Sequence, residues 1–299
     1  VEEELPGSCE LPPPFLPLRS GPNAPSKPSR QKQIPSSPMA LVHRPWVATP
    51  DKPNARSRLE RHISMVAYAD KMVGKLMKSL DELKIRDRTI VIFTTDNGTT
   101  GPPLGFSAMR NGKKVVGAKG KLSEPGVCAP FIVNCPGMVP EGVETDALID
   151  FSDMLPTFVE LGGGETPKDL IIDGTSIAPI ILGKNQDNER QWIMAIGGGA
   201  GRVTKDGVRG AKVFGERVIR DKQHKVWVSE KKKIIRLHDL KKDPWEKTNL
   251  LDSELAEHKK ALKKFQAVVD SLPDKDASPF YEPRAANPWD KQLRVKKRK

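Results

Sequence analysis

Between Ser57 and Lys84 the apolar residues Leu59, Ile63, Val66, Val73, Met77 and Leu80 recur at steps of three and four. That spacing predicts one amphipathic helix with Lys and Asp on its other face. Ile85-Arg-Asp-Arg88 then leads into Thr89-Ile-Val-Ile-Phe-Thr-Thr-Asp-Asn-Gly98. The run Ile90 to Phe93 is continuous rather than alternating, which predicts a strand covered on both faces. Ala129 to Asn134 reads as a second buried strand, closed by Pro136-Gly137. Met39 to Val42 and Ala147 to Ile149 read as short strands. Asp153 to Leu161 reads as a helix with Pro156 in its first turn, where proline is tolerated. No element is predicted between Gly98 and Gly120. Alternating strands and helices argue an α/β class.

The texture changes near Gly183. Trp192 to Ile196, Arg217 to Arg220, Lys225 to Val228 and Ile234 to Leu237 are short extended runs separated by turn or charge clusters. They predict an antiparallel sheet. Asp252 to Leu272 follows as a helix, with Leu255, Leu262, Phe265, Val269 and Leu272 on one stripe. Thirteen of the 27 prolines fall in the first 53 residues, and no periodicity supports an element between Leu11 and Pro38. The expected organisation is an irregular segment over 1–37, a main domain over 38–185, a sheet-and-helix subdomain over 186–272, and a basic tail over 273–299.

Composition narrows the classes. No run of roughly 18 apolar residues is present, so no membrane span is expected. A mean hydropathy of -0.50 predicts a soluble chain. The net charge is +12, but six of the basic residues lie in Lys291 to Lys299 and others in Lys231-Lys-Lys233 and Lys241-Lys242. With no aromatic residues interleaved in the tail, this reads as solvated surface rather than a nucleic-acid face. A non-catalytic basic module for an acidic polymer is the reading from a different class. Cys9, Cys128 and Cys135 form no Cys-x-x-Cys, which argues against a zinc site. Cys128 and Cys135, at opposite ends of one strand, read as small core fillers. No basic leader followed by an apolar core stands at the start.

Candidate chemistry gathers at Asp96 and Asn97. Open α/β sheets place ligands where strands end. A carboxylate beside an amide carbonyl suits a hard cation such as calcium or magnesium.

Four ordered segments resemble the sulfatase family, with its alkaline-phosphatase-like fold. They are Tyr68 to Gly74 leading to Asp96-Asn-Gly98; Gly117-Ala-Lys-Gly120 with Glu124-Pro-Gly126 and Pro136-Gly137; Asp150 to Thr157 with Asp173-Gly-Thr-Ser176; and Leu237 to Leu250, which holds Asp-Pro-Trp-Glu. The resemblance implies a partial mixed sheet flanked by helices, followed by a small antiparallel sheet and a C-terminal helix. It implies hydrolysis of sulfate esters, either aryl sulfates or sulfated polysaccharides. Asp96 and Asn97 would serve as ligands of one calcium ion, and Lys119 and His43 as catalytic and sulfate-binding residues. It also implies export to a periplasmic, extracellular or lysosomal space.

Two family features have no counterpart. No Asp-Asp pair occurs in the chain. The formylglycine nucleophile is not identified either. Ser26-Lys-Pro-Ser-Arg30 carries its motif, but Gln31-Lys-Gln-Ile-Pro35 follows instead of apolar residues, and His43 is too near. Cys128 stands where the family often has Arg or His, and Pro125 where it often has Gly or Ala. The resemblance therefore begins part-way through the family fold and implies a chain of little activity by itself. A phosphoesterase or phosphonate hydrolase of the same superfold is the alternative in chemistry. Oligomeric state is left open.

Overall fold

The computed structural model describes residues 34–276, apart from 103–104, 111, 170, 198–201, 205–206 and 210–212. The chain divides into two units, Val1–Ser37 and Pro38–Lys299, and every element below lies in the second.

Helix α1 (Arg58–Glu82) forms where its periodicity predicts. The Ser57 hydroxyl accepts from the Glu60 N–H, and the Glu60 carboxylate accepts from the Ser57 N–H. This reciprocal capping box satisfies two orphan donors of the first turn. The buried side is not the expected stripe. Ser64 and Met65 are buried, whereas Leu59, Ile63 and Val66 are exposed.

Strand β1 (Val91–Thr94) is antiparallel to a later strand, Phe131–Asn134, with Val91 opposite Asn134. Cover on both faces is a corrected expectation. Phe93 and Ile132 are 38% and 58% exposed, in a sheet of only these two strands among the described residues. Strands β2 (Ser107–Arg110) and β3 (Lys113–Val116) form a hairpin inside the stretch expected to lack structure. Its signal is Asn111-Gly112, a two-residue turn pair, and Gly112 has φ +73°. A short helix, α2 (Glu124–Val127), precedes β4 (Phe131–Asn134).

Two expected strands are absent. Met39 to Val42 is a turn, with the His43 N–H donating to the Ala40 carbonyl, and Ala147 to Ile149 has no ladder partner among the described residues. A 3-10 turn, Phe151–Asp153, runs into α3 (Met154–Leu161), with α4 (Ala178–Ile181) beyond it.

The expected antiparallel sheet comprises β5 (Ile193–Ile196), β8 (Arg217–Arg220), β9 (His224–Val228) and β10 (Ile234–Asp239), in the order β10-β9-β8-β5. A separate hairpin, β6 (Arg202–Thr204) with β7 (Gly207–Arg209), lies between β5 and β8 in sequence. Helix α5 (Ala256–Ser271) closes the described chain. Its Ala261, Phe265 and Val269 pack on Ile219, Val226, Val228 and Leu237 of the sheet. Strand alternation then turns Lys225 and Trp227 to the opposite face.

Cys135 is a buried core filler as expected; its thiol donates to the Asp87 carbonyl at 3.4 Å. Cys128 is exposed, which corrects its assignment to the core. It is the C-cap of α2, where its N–H donates to the Glu124 carbonyl at 2.9 Å.

Candidate functional site

β1 ends at Thr94 and delivers Asp96 and Asn97 onto a turn. The Thr95 hydroxyl donates to the Asn97 carbonyl at 3.2 Å. The Gly98 N–H donates to the Gly126 carbonyl at 2.9 Å. A Cβ on Gly98 would lie 1.9 Å from the Pro125 carbonyl oxygen, so only glycine lets this turn approach α2 so closely.

One residue further, the Lys119 N–H donates to the Thr99 carbonyl at 3.0 Å. A Cβ on Gly117 would come within 2.5 Å of that same Thr99 oxygen. Glycines at 98 and 117 thus let two backbones run side by side. One carries Asp96 and Asn97, the other Lys119. Asp96 and Lys119 are exposed and Asn97 is half-buried.

His43 is exposed on its turn, with Nδ1 2.7 Å from the Arg44 carbonyl. Trp46 links its segment to the rest. It packs edge-on against His62 at 4.8 Å and against Phe106 at 5.7 Å, and the Phe106 N–H donates to the Thr100 carbonyl at 3.1 Å. The structure therefore joins the segments of Asp96, Asn97 and Lys119 directly. It connects His43 to them only through Trp46 and Phe106. Ser26 to Arg30 lies outside the described residues, as does the tail from Lys291.

Asp96 and Asn97 fit part of a hard-cation site. Both offer oxygens, and no hydrogen bond or ion pair among the described residues engages their side chains. Two residues supply fewer than the six to eight oxygens that calcium takes.

Several residues of the two later motifs hold the chain together. The buried Asp153 carboxylate accepts from the Asp150 and Thr175 N–H groups and pairs with Arg190. The Thr157 hydroxyl accepts from the Ile177 N–H. The segments Asp150–Thr157 and Asp173–Ser176 are thereby sewn together. In the C-terminal motif, the Asn249 side-chain carbonyl accepts from the Leu237 N–H, and Asp243 accepts from Thr248.

Sequence reading missed one charged cluster. Lys225 is fully buried, and its ammonium donates to the Leu122 carbonyl at 2.8 Å, to Glu124 at 3.0 Å and to Glu246 at 3.0 Å. Glu246 also accepts from the Glu124 N–H and from the Trp227 indole, while Arg220 pairs with Glu124 at 2.6 Å. The available signal was a lysine inside an apolar strand run, since a lysine buried there demands partners. These bonds fasten the C-terminal sheet to α2, and so to the loop that follows Lys119.

Residues 22–164 match the family Sulfatase, and residues 118–272 match N-sulphoglucosamine sulphohydrolase, C-terminal. The chain is 32% identical over 131 residues to steryl-sulfatase of Rattus norvegicus, covering 43% of this chain and 23% of that protein. It is 35% identical over 130 residues to N-acetylgalactosamine-6-sulfatase of Canis lupus familiaris, covering 42% and 24% respectively. A structure solved with its substrate D-glucosamine-2-N,6-O-disulfate superposes with TM-score 0.56 at 22% identity, over 74% of this chain and 43% of the other. A second, in complex with a neocarrahexaose, gives TM-score 0.56 at 22% identity, over 78% and 49%. At that identity the structures establish the fold: α/β and alkaline-phosphatase-like. The chain spans about a quarter of the length of the curated relatives it matches. No helix among the described residues is long and apolar enough to cross a membrane. With residues 22–164 matched by one family description and residues 118–272, just over half of the chain, by the other, the chain belongs to the sulfatase family, of whose full length it spans a part.

Proposed function

We propose that this chain supplies the cation- and anion-binding part of a sulfate-ester hydrolase, acting on an aryl sulfate or a sulfated saccharide. One observation carries the reading beyond family membership. The Lys119 N–H bonds the Thr99 carbonyl, two residues past Asn97, so the segments that carry a carboxylate, an amide and a lysine run side by side.

The net reaction joins a water oxygen to sulfur, breaks the bond from sulfur to the ester oxygen, and gives that oxygen a proton. The Lys119 ammonium offsets charge on the sulfate oxygens as it shifts during attack. His43 serves the leaving oxygen. With Nδ1–H donating to the Arg44 carbonyl, its Nε2 is left to carry the proton. Asp96 and Asn97 hold calcium, which when bound would polarise the sulfate as a Lewis acid. Sulfated saccharides fit as substrates because two solved relatives of the same fold are complexes with such sugars.

The test is sulfate release from an aryl sulfate and from a sulfated glucosamine by the full-length protein in calcium buffer. Asp96→Ala and Lys119→Ala should each lower kcat/KM by about 100-fold or more. Hydrolysis indifferent to both substitutions would overturn the site. A preference for phosphate monoesters, equally sensitive to both, would reassign it to phosphoester chemistry.

A further inference from the structure

The C-terminal subdomain holds a second cluster with ligand chemistry, independent of the sulfate site. His224 on β9 and Asp239 on β10 are direct cross-strand partners. His258 stands in the first turn of α5, above them. The three are 8%, 0% and 4% exposed, and one ligand atom from each lies within 4.8 Å of the others. The Nε2 atoms of His224 and His258 are both buried without a hydrogen-bond partner. Buried polar atoms are nearly always satisfied, so two orphaned imidazole nitrogens beside one carboxylate require a reason.

From this geometry we infer that His224, Asp239 and His258 form a structural site for a zinc-class divalent ion that ties α5 to the sheet.

The surroundings prepare two of the three ligands. His258 Nδ1 lies 2.7 Å from the Ser253 hydroxyl, so Nδ1–H can donate there and leave Nε2 with its lone pair. Asp239 is fixed by the Lys241 and Lys242 N–H groups and by the Gln223 amide. The Glu257 carboxylate, 3.5 Å from His258 Nε2, is placed to become a fourth ligand. The Lys242 ammonium bridges Asp239 at 3.5 Å and Glu257 at 2.9 Å, so the position already attracts positive charge. That ammonium is largely exposed, and having only donors it cannot engage both imidazole lone pairs as a metal would. Two imidazoles with carboxylate select zinc over calcium or magnesium, which take oxygen ligands. Donors around a tetrahedral zinc stand about 3.4 Å apart, given bonds of about 2.0–2.1 Å. Binding requires side-chain rotation about the His bonds to close the remaining gap from 4.8 Å, with the backbones held by the ladder and the helix.

The experiment uses chelator-stripped protein carrying Asp96→Ala, which removes the charged ligand of the other candidate cation site. After dialysis against zinc, metal analysis should find one equivalent per chain, and the melting temperature should rise by several degrees. Cobalt in its place should give the intense visible bands of a tetrahedral site. The variant His224→Ala with His258→Ala should lose the equivalent and the bands. Zinc content no higher than in that double variant would overturn the inference, and so would a weak, octahedral cobalt spectrum in the parent, which needs no variant to fold.

Discussion

Lys225 shows what a single side chain carries here. An ammonium taken wholly out of water must be matched by partners of opposite charge, and two carboxylates and a carbonyl meet it. Lys225→Met leaves Glu124 to Arg220 and strips the buried Glu246 carboxylate of its cation. Equilibrium denaturation should show a loss of about 3–5 kcal/mol. A loss under 1 kcal/mol would mean that water reaches the cluster. His62 gives a pH signature. Burial between Trp46 and Phe106 lowers the pKa of its imidazole, and its Nδ1 has no partner. Because the folded value lies below the unfolded one near 6.5, unfolding takes up a proton at mildly acid pH. The stability that His62 contributes is present above about pH 6.5 and falls as pH drops toward its lowered value. Melting curves between pH 7.5 and 5 should show that decline, and His62→Phe should flatten it.

Elements were legible from the sequence where one local rule dominated. The helix over 58–82 carries its own periodicity and its own cap, and the four strands of the C-terminal sheet are marked off by turns. The hairpin over 107–116 escaped because its strands are short and rich in Lys and Arg, leaving only Asn111-Gly112 as a sign. Met39 to Val42 misled for the opposite reason. An apolar run is strand-like only if a ladder accepts it, and none among the described residues does. The candidate site was half legible. The strand-end turn announces Asp96 and Asn97, but the pairing of Thr99 with Lys119 depends on glycines whose role is contact at a distance. Gly98→Ala tests this, because its methyl would overlap the Pro125 carbonyl. Overpacking against backbone should cost about 1–3 kcal/mol and impair sulfate release together. An active, fully stable variant would show that the two loops can part harmlessly.

At the scale of the molecule, apolar faces stand open. Leu59, Ile63 and Val66 on α1, Ile132 on β4, and Phe151 and Leu155 around the start of α3 are all more than 45% exposed. Scattered apolar residues on a surface are ordinary, but a stripe on one helix demands a cover. The solved relatives extend over more than twice the matched length, room enough for such a cover. Residues 1–299 expressed alone should therefore self-associate, and light scattering coupled to gel filtration should find species larger than 33.0 kDa. A single monodisperse monomer would mean that these faces are covered from within.

The bond from the Glu124 N–H to the Glu246 carboxylate joins positions 122 residues apart. A chain leaving the ribosome exposes Lys119 and its neighbours long before Glu246 is made. Until that carboxylate emerges, the start of α2 lacks its acceptor and Lys225 lacks half of its counter-charge. The nascent protein must then wait for its C-terminal sheet before the loop that follows Lys119 can set, which makes this stretch of translation the interval when a chaperone has most to protect.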